Sequence, residues 1–590
     1  MNDEKNRERT QLALRVFGIL SGIVFFISCV CGAFYLGMLV ERNTPVTTVM
    51  SLRDYYVAPG DEVLVFMNTE RATWTAREVK GQVYLPFEWV QDTYLERLYV
   101  DEYDQLVMLT TPTEVYAFPI GSRSYTVNEK LVMTDYPVIR EMENDLWFAL
   151  EYLQQEVDLS ADFYAKDGDL APGRLVLFNQ DDILVQKEVR GTTQVRNKAD
   201  VKGDILKEVT EGEKLWVLEA SVNERFDKVM TEDGVIGYAR TKVLSEGVEK
   251  ELTFTKRTKD DPEAYFSVTM DEPVVMVWHQ VFNESANAYL AEKLAQTEGV
   301  NVVSPTWFSI ENNNGKLTTL ASHEYVEAAH SMGIQVWPLI NDFTTGLDYN
   351  RIFGSETTRR NLINNIFWFI YEYDLDGINI DFENITQENS RGYIQFLREL
   401  SVACRNEGIV LSIDNYVPTE RTAHYDRAEQ GILADYVVVM AYDEQYAGSP
   451  VPGSVSSLFW VDLGTSSTMA SVPAEKLVVG LPLYTRLWKE QVSDDGSYNL
   501  YSEAYSMNAA LNLVKQNNAE MIWDEVTGQY YATWKSGNTT YQIWLEEERS
   551  MEAKLAKVAE YENLAGVAFW KLGLDRAEVW APVSEWKSAQ

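Results

Sequence analysis

The chain has 590 residues, 90 of them Asp or Glu against 51 Lys or Arg, for a formal net charge of −39. A field of that sign repels nucleic acid, so no nucleic-acid partner is expected, and the acidity reads as a solubilising surface. With only three cysteines, two of them (Cys29 and Cys31) in an apolar N-terminal stretch, neither a disulfide framework nor a cysteine zinc site can be built around Cys404.

The length predicts three or four folded units. After a stub at 1–15, residues 16–40 carry no charge and are long enough to cross a hydrocarbon core as a helix. Lys5, Arg7, Arg9 and Arg15 precede this run, while Glu41 and Arg42 follow it. The basic flank predicts a single-pass anchor in the cell membrane, with a cytoplasmic N-terminus and everything after about residue 43 outside. A cleaved signal peptide is the rival reading, but the run exceeds a typical signal core and no small-x-small site closes it.

Residues 48–182 are strand-rich and contain a degenerate repeat. Tyr84-Leu85-Pro86-Phe87-Glu88-Trp89-Val90-Gln91 aligns with Trp147-Phe148-Ala149-Leu150-Glu151-Tyr152-Leu153-Gln154, and strand-like runs follow at Leu106 to Leu109 and Leu175 to Phe178. This stretch resembles the copper amine oxidase N-terminal-like domain; copper itself is not implied, because the region has no histidine. Residues 185–246 read as five short strands with turns at Glu211-Gly212-Glu213 and Asp233-Gly234. They resemble a bacterial Src-homology-3-like domain, which implies a cell-wall polymer as partner, although a plain spacer fits the strands equally. Residues 247–269, polar around Lys256 to Pro262, read as a linker.

From 270 to 586, short apolar runs alternate with amphipathic stretches, the pattern of repeated βα units. Eight strands are predicted: Val274 to Val281, Val302 to Ile310, Ile334 to Ile340, Gly377 to Phe382, Ile409 to Ile413, Tyr436 to Tyr442, Leu477 to Leu483 and Gly566 to Leu572. The fold class is therefore α/β, a (β/α)8 TIM barrel with its site at the C-terminal strand ends. The gap between the seventh and eighth strands is too long for a loop and predicts an α+β insertion at 490–547, then a helix from about Glu548 to Glu560.

The most informative run is Asp376-Gly377-Ile378-Asn379-Ile380-Asp381-Phe382-Glu383. Alternation along a strand turns Asn379, Asp381 and Glu383 into the barrel, and adjacent buried carboxylates must share protons or hydrogen bonds. A polar turn at a strand end is the bland alternative. Except at Asn379, the run matches the D-G-x-D-x-D-x-E signature of glycoside hydrolase family 18 and so resembles that family. Met440-Ala441-Tyr442-Asp443, Phe569-Trp570-Lys571-Leu572-Gly573 and Ser304-Pro305-Thr306-Trp307-Phe308 extend the likeness toward the bacterial peptidoglycan and spore-cortex N-acetylglucosaminidases.

The resemblance implies that Glu383 is the general acid and that Asp381 raises its pKa and orients the substrate's acetamido N–H. It also implies that Tyr442 and Asp443 hold the acetamido carbonyl and the distorted ring, that Met440 at the sixth strand end contacts substrate, and that Trp570 floors the sugar. Asn379 is expected to hydrogen-bond Asp381 without taking up a proton. Trp307, Trp337, Tyr484 and Trp488 are weighed as sugar-stacking side chains against plain packing, and His279, Asn341 and Asn415 as substrate hydrogen-bonders against structural roles. No metal-ligand spacing occurs, so no cofactor is expected. The implied activity is retaining, substrate-assisted hydrolysis of an N-acetylglucosamine-containing glycan, peptidoglycan or chitin-like. The alternatives are a catalytically inert glycan-binding surface protein and a surface scaffold acting through its accessory modules.

Overall fold

This computed structural model describes residues 2–60, 62–67, 70–168, 170–252, 254, 265–492 and 498–590. The expected linker run Lys256 to Pro262 lies outside them. Two compact units emerge, Met1–Glu96 with Tyr136–Thr258, and Arg97–Asp135 with Lys259–Gln590.

In the first unit, the N-terminal helix Asn2–Asn43 contains a segment, Asn6–Asn43, long and apolar enough to cross a membrane. The repeat is visible as two strand–helix pairs, Gln82–Pro86 leading into Phe87–Thr93 and Asp145–Ala149 leading into Leu150–Glu156. The two strands are antiparallel neighbours, Phe148 opposite Leu85 and Ala149 opposite Tyr84, inside one seven-stranded sheet. A second seven-stranded sheet spans Leu184–Glu188 to Val248–Lys250. It holds seven strands where five were expected; the edge strand Val248–Lys250 is three exposed residues and offers no alternation to detect.

Residues 97–135, expected within the 48–182 module, belong instead to the second unit. They form a five-stranded antiparallel meander from Leu98–Asp101 to Lys130–Met133. Its acidic turns cap a barrel helix, α1 (Glu356–Tyr373). Asp104 accepts from Ser355 Oγ at 2.7 Å and from the Thr357 N–H at 2.9 Å, and Asp101 accepts from the Glu356 N–H, which satisfies donors that open every helix. The next helix, α2 (Ser390–Glu407), contributes Gln395 Nε2 to Thr110 Oγ1 (3.1 Å) and Arg405 Nη1 to the Pro112 carbonyl (2.6 Å). Arg359, fully buried on α1, is neutralised by Glu399 and Asp101.

The barrel strands are β1 (Val274–His279), β2 (Val302–Pro305), β3 (Leu339–Asn341), β4 (Gly377–Asp381), β5 (Val410–Tyr416), β6 (Tyr436–Met440), β7 (Leu477–Pro482) and β8 (Gly566–Trp570). Parallel pairing runs from β3 through β8 to β1 and β2. The ring closes through Gln335–Val336 on β2 and Phe308–Ile310 on β3. The predicted second and third strands are each broken in two, at Pro305 and near Pro338, because proline offers the ladder no N–H. Val274, Met276, Trp278, Val302, Leu339, Val438, Val478 and Ala568 fill the interior. Val275, Val277, Ile340, Ile380, Ile413, Val439 and Val479 face the helices.

The insertion is a five-stranded antiparallel sheet from Tyr484–Val492 to Thr539–Leu545, covered on one face by helix Met507–Gln516. It opens six residues before the expected position 490, because β7 ends at Pro482 and the next strand follows almost at once. The helix after it is Glu548–Val558.

Candidate active site

On β4 and β5 the inward positions form a ladder of polar pairs. Asn379 stands opposite Ser412, and one residue past the Ile380–Ile413 pair Asp381 comes beside Asp414, with Asn341 of β3 on its other flank. At the mouth, Tyr416 donates its hydroxyl hydrogen to Glu383 Oε2. Asn379, Asp381, Ser412 and Asp414 are all at most 4% exposed, while Glu383 is half-buried, where the barrel opens.

The expectation that Asn379 hydrogen-bonds Asp381 is not met. Its Nδ2 donates to Asp414 Oδ1 at 2.8 Å and to Ser412 Oγ at 3.2 Å, and its Oδ1 accepts from Trp278 Nε1 at 2.9 Å and Ser304 Oγ at 3.2 Å. Trp278 is a donor only, so it fixes the amide's orientation and sends the N–H₂ toward β5. Asp381 Oδ1 is left buried without a hydrogen-bond partner among the described residues.

The backbone that presents Glu383 is held from below by Asp342. That buried carboxylate accepts from the N–H groups of Glu383 (3.1 Å) and Asn384 (3.0 Å) and from Asn384 Nδ2 (3.1 Å), and Tyr425 donates to the Phe382 carbonyl at 3.0 Å. Burial raises the Glu383 carboxyl above its ordinary range; the bond from Tyr416 opposes this, and the charges of Asp342 and Asp443 add to it. Burial, then the neighbouring Asp414 and Glu383, drives Asp381 far upward. Burial pushes Asp414 up to about 8, against the bond from Asn379. Four carboxyls in one low-dielectric pocket titrate as a group, and burial with mutual repulsion makes them hold protons to higher pH than free carboxyls.

Beside the carboxyls lies an aromatic floor. Buried Trp278 supports Trp570 (centroids 5.8 Å) and Tyr442 (6.3 Å), both partly buried. Asp443, exposed and in the left-handed region at φ 53°, accepts a hydrogen bond from Tyr484. Met440 lines the interior at 9% exposure.

Several expected substrate contacts are buried in packing instead. Trp307 is 2% exposed and gives its Nε1–H to Asn287 at 2.9 Å; Trp488 is 1% exposed and gives its own to the Gly453 carbonyl at 2.8 Å. Neither ring face is open to a sugar. Trp337 stacks on Tyr436 inside the barrel, and Tyr484 reaches the site only through its hydroxyl. Asn415 points to the helix layer, bonded to Gln430 at 2.6 Å, and His279 is held between Tyr325 and Lys293. Asn341 accepts from the Phe343 N–H at 3.2 Å. Sequence reasoning missed Trp278, Asp342, Asp414 and Tyr416, and also the exposed Phe282, Phe343 and Tyr446, which follow β1, β3 and β6. Strand alternation carried past Ile413 would have found Asp414 and Tyr416.

The family model for glycosyl hydrolases family 18 matches residues 274–575. The cortical fragment-lytic enzyme of Bacillus subtilis is 30% identical over 241 residues, 40% of this chain and 55% of that protein. An uncharacterized glycosylase of the same organism, YvbX, is 24% identical over 299 residues, 48% of this chain and 84% of that protein. The chain thus spans little more than half the length of the first of these relatives. The spore cortex-lytic enzyme SleL of Bacillus cereus superposes with a TM-score of 0.48 at 22% identity, covering 53% of this chain and 74% of that structure.

Proposed function

We propose, since this chain belongs to glycosyl hydrolases family 18, that it hydrolyses β-linked N-acetylglucosaminyl bonds in peptidoglycan or chitin-like glycans with retention of configuration. The observation that carries this reading is a half-buried Glu383 at the barrel mouth, its carboxyl raised above the ordinary range by burial, with buried Asp381 behind it and Trp570 and Tyr442 alongside.

In this reading Glu383 protonates the glycosidic oxygen while the sugar's own acetamido oxygen attacks the anomeric carbon, so no enzyme nucleophile is needed. Asp381, through its unpartnered Oδ1, accepts the acetamido N–H and aims that oxygen. Tyr442 and Asp443 hold the acetamido carbonyl and the ring, over the apolar face of Trp570. Glu383, left as carboxylate, then takes a proton from the water that opens the cyclic intermediate. The N-terminal helix anchors the chain in the membrane with the barrel outside, and the sheet at 185–246 acts as a Src-homology-3-like contact to wall polymer.

The test is digestion of purified peptidoglycan and chitin oligomers in parallel by the full chain in detergent, with products weighed by mass spectrometry. N-acetylglucosaminyl termini should form with the wild type and vanish with Glu383→Gln. No products from the wild type would leave an inert glycan-binding protein as the better description, and equal products from both forms would remove Glu383 from the chemistry.

A further inference from the structure

At the barrel mouth, between the ends of β8 and β1, two half-buried lysines stand near one another in a chain of net charge −39. Lys571 follows Trp570, the last residue of β8, and donates to the side-chain oxygen of Gln280, which follows His279, the last residue of β1. Its ammonium also lies 5.3 Å from the ring centre of exposed Phe282. Lys293, on the helix Leu290–Leu294, donates to His279 Nε2 at 3.0 Å. Burial and the two lysines hold His279 down to about 4, so the imidazole is neutral and answers neither charge. Neither lysine has a carboxylate partner among the described residues. Asp575, the acid whose charge reaches Lys293, is taken up by the N–H of Gly573 (2.7 Å) and by Trp580 Nε1 (3.0 Å). Burial and the like charge of Lys293 hold the Lys571 ammonium below the ordinary lysine range. Two such ammoniums cost stability, and none of the 90 Asp and Glu side chains is placed to relieve them.

We propose that Lys571, backed by Lys293 and Gln280, receives a carboxylate carried by the glycan itself, the lactyl ether of N-acetylmuramic acid, and so selects peptidoglycan over chitin. This inference rests on the hydrolase reading and narrows its substrate. Lys571 adjoins Trp570, the sugar floor, so the anion it meets belongs to a sugar and not to a distant stem peptide. Lysine only donates, so Gln280 must turn its carboxamide oxygen to Lys571, and its N–H₂ is left as a second donor at the rim. Where N-acetylglucosamine alternates with N-acetylmuramic acid, both sugars flanking the one over Trp570 carry a lactyl carboxylate. Chitin carries none. The overall negative field and the acids of β4 and β5 repel such an anion, and a local ammonium offsets that repulsion.

The experiment uses the full chain in detergent and two substrates: peptidoglycan strands freed of stem peptides, and the same strands with each lactyl carboxylate converted to its methylamide. The wild type should cleave the carboxylate form with kcat/KM about tenfold or more above the methylamide form, mostly through KM, and this ratio should shrink at high salt. In Lys571→Met, which keeps the stem and removes the charge, the ratio should fall to within about twofold. In Lys571→Arg it should remain about fivefold or more, because a cation is kept. A role confined to packing would move both substrates alike and leave the ratio where it was.

A wild-type ratio near one, or a ratio that survives in Lys571→Met, overturns the proposal. So does a preference that appears only while stem peptides are left on, since the recognised carboxylate then belongs to the peptide. Gln280→Glu gives Lys571 a carboxylate of its own at nearly unchanged shape and should abolish the ratio too; it decides the matter should Lys571→Met fail to fold. If the wild type cleaves neither form, or Glu383→Gln is no slower than it, the hydrolase reading fails separately. Calorimetric binding of the two strand forms is then compared: a carboxylate preference lost in Lys571→Met upholds the site, and equal affinities overturn it.

Discussion

Two halves of the barrel interior are equally hidden from water and built from opposite materials. On β6 and β7 the inward side chains include Val438 and Val478, each 1% exposed; on β4 and β5 they are Asn379, Asp381, Ser412 and Asp414, at 0 to 4%. The apolar half needs nothing beyond close packing. The polar half gains no hydrophobic stabilisation and persists because each amide and hydroxyl is hydrogen-bonded and the acids retain protons. One half holds the barrel together, and the other half carries the chemistry at a cost in stability.

Substitutions that cross this division should expose it. Glu383→Gln should cost about 10²- to 10⁴-fold in kcat, roughly 3–5 kcal/mol of barrier, with a melting temperature no lower than the wild type; activity assays and calorimetry check both parts. Placing a carboxylate in the apolar half, Val478→Asp, should have the reverse signature, with about 4 kcal/mol lost in denaturant unfolding, because no partner there can hydrogen-bond it. Trp278→Phe removes the donor that orients Asn379 and should cost about 1–2 kcal/mol of stability together with a several-fold fall in kcat.

Smaller effects should appear in pH dependence. Tyr416→Phe removes the hydrogen bond that holds the Glu383 pKa down, so the alkaline limb of kcat should move to higher pH. Stability should itself decline as pH rises. Asp414 binds its proton up to about 8 when folded, whereas an unfolded aspartate releases it near 4, so between these values the folded state holds more protons and rising pH favours unfolding. Melting temperatures across that window should slope downward, and the slope should flatten in Asp414→Asn.

The sequence makes β4 legible because Ile378, Ile380 and Phe382 alternate with Asn379, Asp381 and Glu383, leaving one consistent assignment of faces. Its neighbour β5 is only half legible. Ser412-Ile413-Asp414-Asn415-Tyr416 alternates in the same way, but ending the strand at Ile413 hides the acid and the tyrosine and draws the eye to Asn415, which faces the helices. Tryptophans near strand ends, such as Trp307 and Trp488, carry no local mark of whether a sugar or another side chain will cover them; only the partners Asn287 and Gly453, distant in the chain, decide it. The placement of 97–135 is equally non-local, since Asp101 and Asp104 cap a helix that begins 255 and 252 residues later, at Glu356.

That capping meander bears on any attempt to isolate the barrel. A fragment starting at 270 would strip α1 of its acidic caps, leave Arg359 with one carboxylate in place of two, and bare the side of α2 that now meets Thr110 and Pro112. The piece of chain that repairs this begins at Arg97, within the stretch that separates two arms of the other unit. No single cut therefore releases a whole barrel free of the other unit's residues, and proteolysis between 97 and 135 should loosen the helix that feeds directly into β4.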